Sequence, residues 1–116
     1  MVHKEDDLQM ACVRWFDLQF SMLSWALFHV PNGGFRNRQE AARFKALGVR
    51  SGVPDLLLLI PCRKYNYLAI ELKVGKNTQT PEQKLYEGHI NANGGKYVVV
   101  RSIEQFIDEV KTYLRE

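Results

Sequence analysis

Gly52-Val53-Pro54-Asp55-Leu56-Leu57-Leu58-Leu59-Ile60 and, after the turn-like Pro61-Cys62-Arg63-Lys64, the segment Tyr65 to Val74 with Glu71-Leu72-Lys73 near its end decide how this 116-residue chain reads. Leu56 to Ile60 is an unbroken apolar run of strand length bounded by Pro54 and Pro61, which suits a central strand covered on both faces. The second segment alternates: Leu68, Ile70 and Leu72 fall on one side, Glu71 and Lys73 on the other, because strand side chains repeat every second residue. The two runs form a hairpin. A five-residue loop from Pro61 to Tyr65 pairs residues whose numbers sum to 126 and sets Asp55 opposite Glu71, with Cβ atoms about 4.5–5.5 Å apart. An even-numbered loop would instead set Asp55 beside Leu72.

Two adjacent carboxylates repel and raise the pKa of one of them unless a cation lies between. A hard divalent ion such as Mg²⁺ or Mn²⁺ removes that cost, since it prefers carboxylate, carbonyl and water oxygens. Asp55, Glu71 and the Leu72 carbonyl between Glu71 and Lys73 are therefore candidate metal ligands. Lys73 is placed to hold an attacking water or to stabilise a pentavalent phosphorus.

Outward from this centre the remaining elements follow. Glu5 to Ser24 carries apolar residues at helical spacing behind three leading acids. Trp25 to Val30 reads as a strand that ends at the turn Pro31-Asn32-Gly33-Gly34. Asn37 or Arg38 opens a helix to Leu47, with Gly48 as its stop. Thr80-Pro81-Glu82-Gln83 joins a capping box to a proline at the first helical position, and this helix ends near Asn93-Gly94-Gly95. Lys96 to Val100 is a strand, and Ser102 with Gln105 forms a second capping box opening a helix to about Leu114. The order α, β, α, β, β, α, β, α predicts a mixed four-stranded sheet flanked by helices.

The length fits one domain over residues 1–116, and 46% apolar with 25% charged residues is ordinary for a folded globule. Sixteen basic and thirteen acidic residues give a net charge of +3, so composition only nudges toward a polyanionic partner. Distribution says more: Arg36, Arg38, Arg43, Lys45 and Arg50 cluster with Glu40 as the only acid among them. Cys12 and Cys62 form no C-x-x-C pair, which argues against a disulfide framework or zinc knuckle and for a reducing compartment. The start Met1 to Asp7 lacks a signal peptide's apolar stretch and no run approaches membrane-span length, so a cytoplasmic protein is expected, without a membrane partner. His3, His29 and His89 show no ligand spacing and read as packing or surface residues. Trp15, Phe16, Phe20, Trp25 and Phe28 read as core or dimer interface rather than a stacking platform.

Pro54-Asp55 with Glu71-Leu72-Lys73 resembles the PD-(D/E)XK nuclease signature. The wider pattern His29-Val30-Pro31-Asn32-Gly33-Gly34, Gly52 to Leu56, Glu71-Leu72-Lys73 and Gln79-Thr80-Pro81-Glu82-Gln83 resembles the virus-type replication-repair nuclease (VRR-NUC) family over roughly Leu27 to Val100. The resemblance implies a restriction-endonuclease-like α/β core. It also implies Mg²⁺- or Mn²⁺-dependent cleavage of DNA, often branched molecules such as Holliday junctions, by a homodimer in a bacterial or phage-infected cell. Carried over by position, it adds a first-helix acid, with Glu5 the natural candidate beside Asp6 and Asp7, and a site role for Gln83 alongside plain helix capping. Asn32, Gly33, Arg36, Arg38, Arg43, Arg50 and Lys76 are the candidate DNA contacts, and Gln79 is placed either to touch DNA or to face solvent. Two rival readings are an inactive DNA-binding protein on a nuclease fold and a sequence-specific restriction-type enzyme. An intact Asp55, Glu71 and Lys73 argues against the first, and a chain too short for elements that read base edges argues against the second.

Overall fold

The computed structural model describes residues 4–31 and 37–116, so His3, Asn32, Gly33 and Arg36 lie outside the described residues. Helix α1 spans Lys4–Gln19, with Glu5, Asp6 and Asp7 in the first turn, where the helix dipole favours negative charge. It buries Cys12 and Phe16, one turn apart on one face. The predicted extension to Ser24 is corrected: Ser21–Ala26 winds as a 3-10 helix. Phe20 leaves helical geometry at φ −127° and ψ 58° and turns inward against Trp15 and Phe16. Ser21 and Ser24, weak helix formers, do not oppose the tighter winding.

Strand β1 is only Leu27–His29, shorter than the predicted Trp25 to Val30, since Trp25 belongs to the 3-10 turn. Helix α2 (Arg38–Ala46) starts as predicted: the Asn37 side chain accepts from the Glu40 amide at 2.8 Å. Gly48, at φ +104°, stops it in a conformation other residues resist. Strand β2 (Leu56–Leu58) stops two residues early, and Leu59 is exposed even though its amide still donates to the Ala26 carbonyl. Strand β3 is Tyr67–Leu72, α3 Pro81–Ala92, β4 Gly95–Val100 and α4 Ile103–Arg115. The Thr80 capping box is complete. At α4 the Ser102 hydroxyl caps as expected, but the Gln105 side chain accepts from the Arg101 amide rather than from Ser102.

The sheet order is β1-β2-β3-β4, antiparallel except for the parallel β3–β4 pair. Leu56 pairs with Ile70 and Leu58 with Leu68, the predicted register. The tip is tighter than the five-residue loop: the Cys62 amide donates to the Tyr65 carbonyl, and one residue of the Leu59–Pro61 arm goes unmatched. Even-numbered Leu56, Leu58, Leu68, Ile70 and Leu72 face α1 and α4, whose Cys12, Phe16, Phe106, Val110 and Tyr113 complete the main core. Odd-numbered Leu57, Ala69, Tyr97 and Val99 face α3 through Tyr86 and Ile90. Alternation thus gives the second face to a small apolar cluster at one end and to Glu71 and Lys73 at the other. Among the described residues no helix is long and apolar enough to cross a membrane.

Candidate active site

Continuing the β2–β3 register one step sets Asp55 opposite Glu71, and their carboxyl groups lie within hydrogen-bonding reach. Both neighbouring strands pin Asp55. Its carbonyl accepts from the Val30 amide and from His29 Nδ1, each at 2.9 Å, and its Oδ2 accepts from the Leu72 amide at 2.7 Å. Glu71 is 1% exposed, with Asp55 and Lys73 at 8% each. Lys73 Nζ stands 3.9 Å from Glu71 Oε2, and the Lys73 amide extends the ladder to the Val100 carbonyl. Three ionisable side chains buried together at the end of a strand pair are costly unless they serve each other or a ligand.

Helix α3 supplies Gln83, one side chain with two tasks. Its Oε1 accepts from the Thr80 amide at 2.8 Å and its Nε2 donates to Glu71 Oε2 at 3.0 Å. Gln83 thus caps its helix and at the same time touches Glu71. Gly52 seats the Asp55 loop against this helix: at φ +83°, a Cβ there would lie 2.6 Å from the Glu82 carbonyl group.

Burial, and then the neighbouring Asp55, push the Glu71 carboxyl up to about 8, with Lys73 and the Tyr97 hydroxyl opposing. Two carboxyls this close favour the protonated form of one of them unless a cation lies between them. Glu5 is half-buried and also raised, by burial first and then by Asp55, while Lys73 lowers it. Among the three leading acids it is the one turned toward the site, since Asp6 and Asp7 are exposed. No three His, Cys, Asp or Glu side chains among the described residues converge on one metal position, so Glu5 stands beside the acid pair without closing a triad. Two carboxylates with waters and a substrate phosphate are how proteins usually hold Mg²⁺, so the donor set fits such an ion.

Of the predicted DNA contacts, Arg38 and Arg43 lie on exposed α2, and Lys76 is exposed just after the Gly75 turn. Arg50 is engaged: its guanidinium donates to the Lys45 and Val49 carbonyls at 3.2 and 3.3 Å and caps the end of α2. His29, expected to pack or lie at the surface, is exposed, and the β1–β2 register brings its ring to the Asp55 carbonyl. Tyr97 was not among the sequence candidates. Tyr97 Oη donates to Glu71 Oε1 at 3.2 Å, and its signal was parity on β4, which has no use until the β3–β4 register is known.

A mixed sheet that buries Asp55, Glu71 and Lys73 at the end of its β2–β3 pair is a PD-(D/E)XK nuclease-type core. The VRR-NUC domain profile matches residues 3–104, and the chain belongs to the VRR-NUC family. A solved structure described as a VRR_NUC domain protein superposes with a TM-score of 0.84 at 30% identity, covering 99% of this chain and 91% of that one. No curated protein matches the chain.

Proposed function

We propose that the chain is a structure-selective DNA endonuclease that hydrolyses phosphodiester bonds with Mg²⁺ or Mn²⁺. The observation that carries this reading is the burial of Asp55 and Glu71 side by side with Lys73 within 4 Å. Asp55 and Glu71 would hold the ion. The Leu72 carbonyl joins them because N–H and C=O of one strand residue point to the same edge, and the Leu72 N–H points at Asp55. Bound there, the ion supplies Lewis-acid stabilisation of the scissile phosphate and a more acidic water. Lys73 would orient an attacking water and offset charge gathering on the phosphorus oxygens. Gln83 holds Glu71 in place, and Glu5 would add negative charge beside the acid pair.

Arg38 and Arg43 on α2 and Lys76 beyond β3 supply phosphate contacts, and Asn32, Gly33 and Arg36 extend that set by their place in the sequence. Selectivity for branched DNA such as Holliday junctions is part of this reading, supported by the family resemblance and by the two sites that a homodimer would pair. The exposed Met10, Leu18, Met22 and Trp25 along α1 and the following turn suit such a dimer. Buried Cys12 and free Cys62 fit the cytoplasm of a bacterial or phage-infected cell.

Labelled four-way junction, flap, single-stranded and linear duplex DNA, each with Mg²⁺, Mn²⁺ or EDTA, test the proposal. Junction cutting with metal, lost in Asp55→Asn, is expected. Binding without cutting under every condition would move the protein to the inactive DNA-binding class, and cutting confined to one duplex sequence would make it a restriction-type enzyme. Lys73→Ala is expected to slow cleavage by about 10²–10³-fold with DNA affinity unchanged. Near-wild-type cutting in that variant contradicts the role given to Lys73.

A further inference from the structure

Glu71 is gripped on both oxygens, by Gln83 on Oε2 and by Tyr97 on Oε1. Tyr97 sits on β4, 6% exposed, on the same sheet face as Glu71. Behind it is a short polar chain. The Gln79 side chain lies within hydrogen-bonding reach of the Tyr97 hydroxyl, and Gln79 Nε2 donates to Glu87 Oε1 at 3.1 Å. Gln79 is half-buried, so its amide is spent inside the protein rather than held out toward a ligand. An amide has two N–H donors: one goes to Glu87, and the other is free for the tyrosine oxygen. That leaves the phenol proton to point forward, at Glu71.

We propose that Tyr97, braced by Gln79 and Glu87, is a positioning residue that fixes the carboxylate plane of Glu71 for divalent-cation binding. The proposal rests on the reading of Glu71 as a metal ligand. A carboxylate offers about four in-plane acceptor positions. Tyr97 from β4 and Gln83 from α3 take one on each oxygen, which leaves acceptor capacity on both for a cation held with Asp55. A phenylalanine at this position keeps the ring in its apolar cluster with Ala69 and Ile90 but lets Glu71 turn about its last bond. Hydrogen-bonding partners of metal ligands typically contribute about 10- to 100-fold in metal affinity.

The test is calorimetric titration of Mg²⁺ and of Mn²⁺ into wild type, Tyr97→Phe, Gln79→Leu and Glu71→Gln in the absence of DNA. Metal-free thermal melts establish that each variant is folded. Tyr97→Phe is expected to weaken metal binding by at least about tenfold. Its cleavage rate should recover at saturating metal, and junction affinity in EDTA should stay at the wild-type value. A generally loosened structure would not give that split. Gln79→Leu should shift affinity in the same direction by less, and it carries the test should Tyr97→Phe not fold. Wild-type metal affinity in a folded Tyr97→Phe or Gln79→Leu variant overturns the positioning role while leaving the metal reading intact. A wild type that takes up neither ion, or a Glu71→Gln variant that binds as well as wild type, overturns both.

Discussion

Glu71 condenses the chemistry of the site into one group. Its raised pKa has a sign that can be followed without DNA. The folded state holds this proton more tightly than the unfolded chain, so the stabilisation is complete below the ordinary carboxylate value of 4.5 and is lost as pH rises through about 8. In EDTA the melting temperature should therefore fall from about pH 4.5 to about pH 8 and level off above, by about 4 °C for each kcal/mol lost. Millimolar Mg²⁺ should restore it at the alkaline end, because the ion replaces the proton. Glu71→Gln should remove most of the slope, and a flat wild-type profile would contradict the pairing with Asp55. At this scale the sequence was explicit about Asp55, Glu71 and Lys73, because strand alternation and one hairpin relate all three. It was silent on Tyr97, which reaches the Glu71 carboxyl from β4, and on the contact of the His29 ring with the Asp55 main-chain carbonyl from β1.

Helix α3 shows how an element can be legible while its function stays half hidden. Threonine, proline and glutamine marked its start in the sequence, and the helix begins there. The sequence did not show that the capping glutamine also reaches across to the sheet, since only the packing of the Gly52–Asp55 loop on the first turn fixes that distance. Gly52→Ala tests this contact. The added methyl meets backbone, which has no side-chain freedom to yield, and the residue must also hold a positive φ. A loss of about 1–3 kcal/mol is expected by denaturant unfolding, together with a drop in cleavage beyond what the lost folded fraction explains. Wild-type stability in this variant would show that the loop stands clear of α3. Where elements were misjudged, the cause was tertiary. The first helix gave way at Phe20 because three aromatic rings pack better with the chain turned, and β1 lost Trp25 to that turn.

Across the whole molecule, the face opposite the active site is well covered, but the outer side of α1 is not. Met10, Val13 and Leu18 line an open groove there with Gln9, Arg14 and Asp17, and Trp25 and Met22 stand exposed beyond the end of the helix. The periodicity that made α1 legible cannot say which of its apolar residues meet the sheet and which stay exposed. Leu18→Glu changes a residue 78% exposed, so stability at low concentration should be unchanged while sedimentation shifts from dimer to monomer. A wild type that sediments as a monomer at micromolar concentration, with junction cutting intact, removes the dimer. The mixed sheet has one more implication, concerning time. Asp55 and Glu71 belong to one short hairpin, whereas Tyr97 joins only after the α3 crossover has swung β4 alongside β3. Local pairings close sooner than distant ones. Pulse-labelled hydrogen exchange during refolding should protect the Leu58 and Ile70 amides, which face each other's strand, before those of Val98 and Val100, and simultaneous protection would refute that order. A chain still emerging from the ribosome would then carry its two acids together but ungripped, and the cutting centre would be finished only when its last strand arrives.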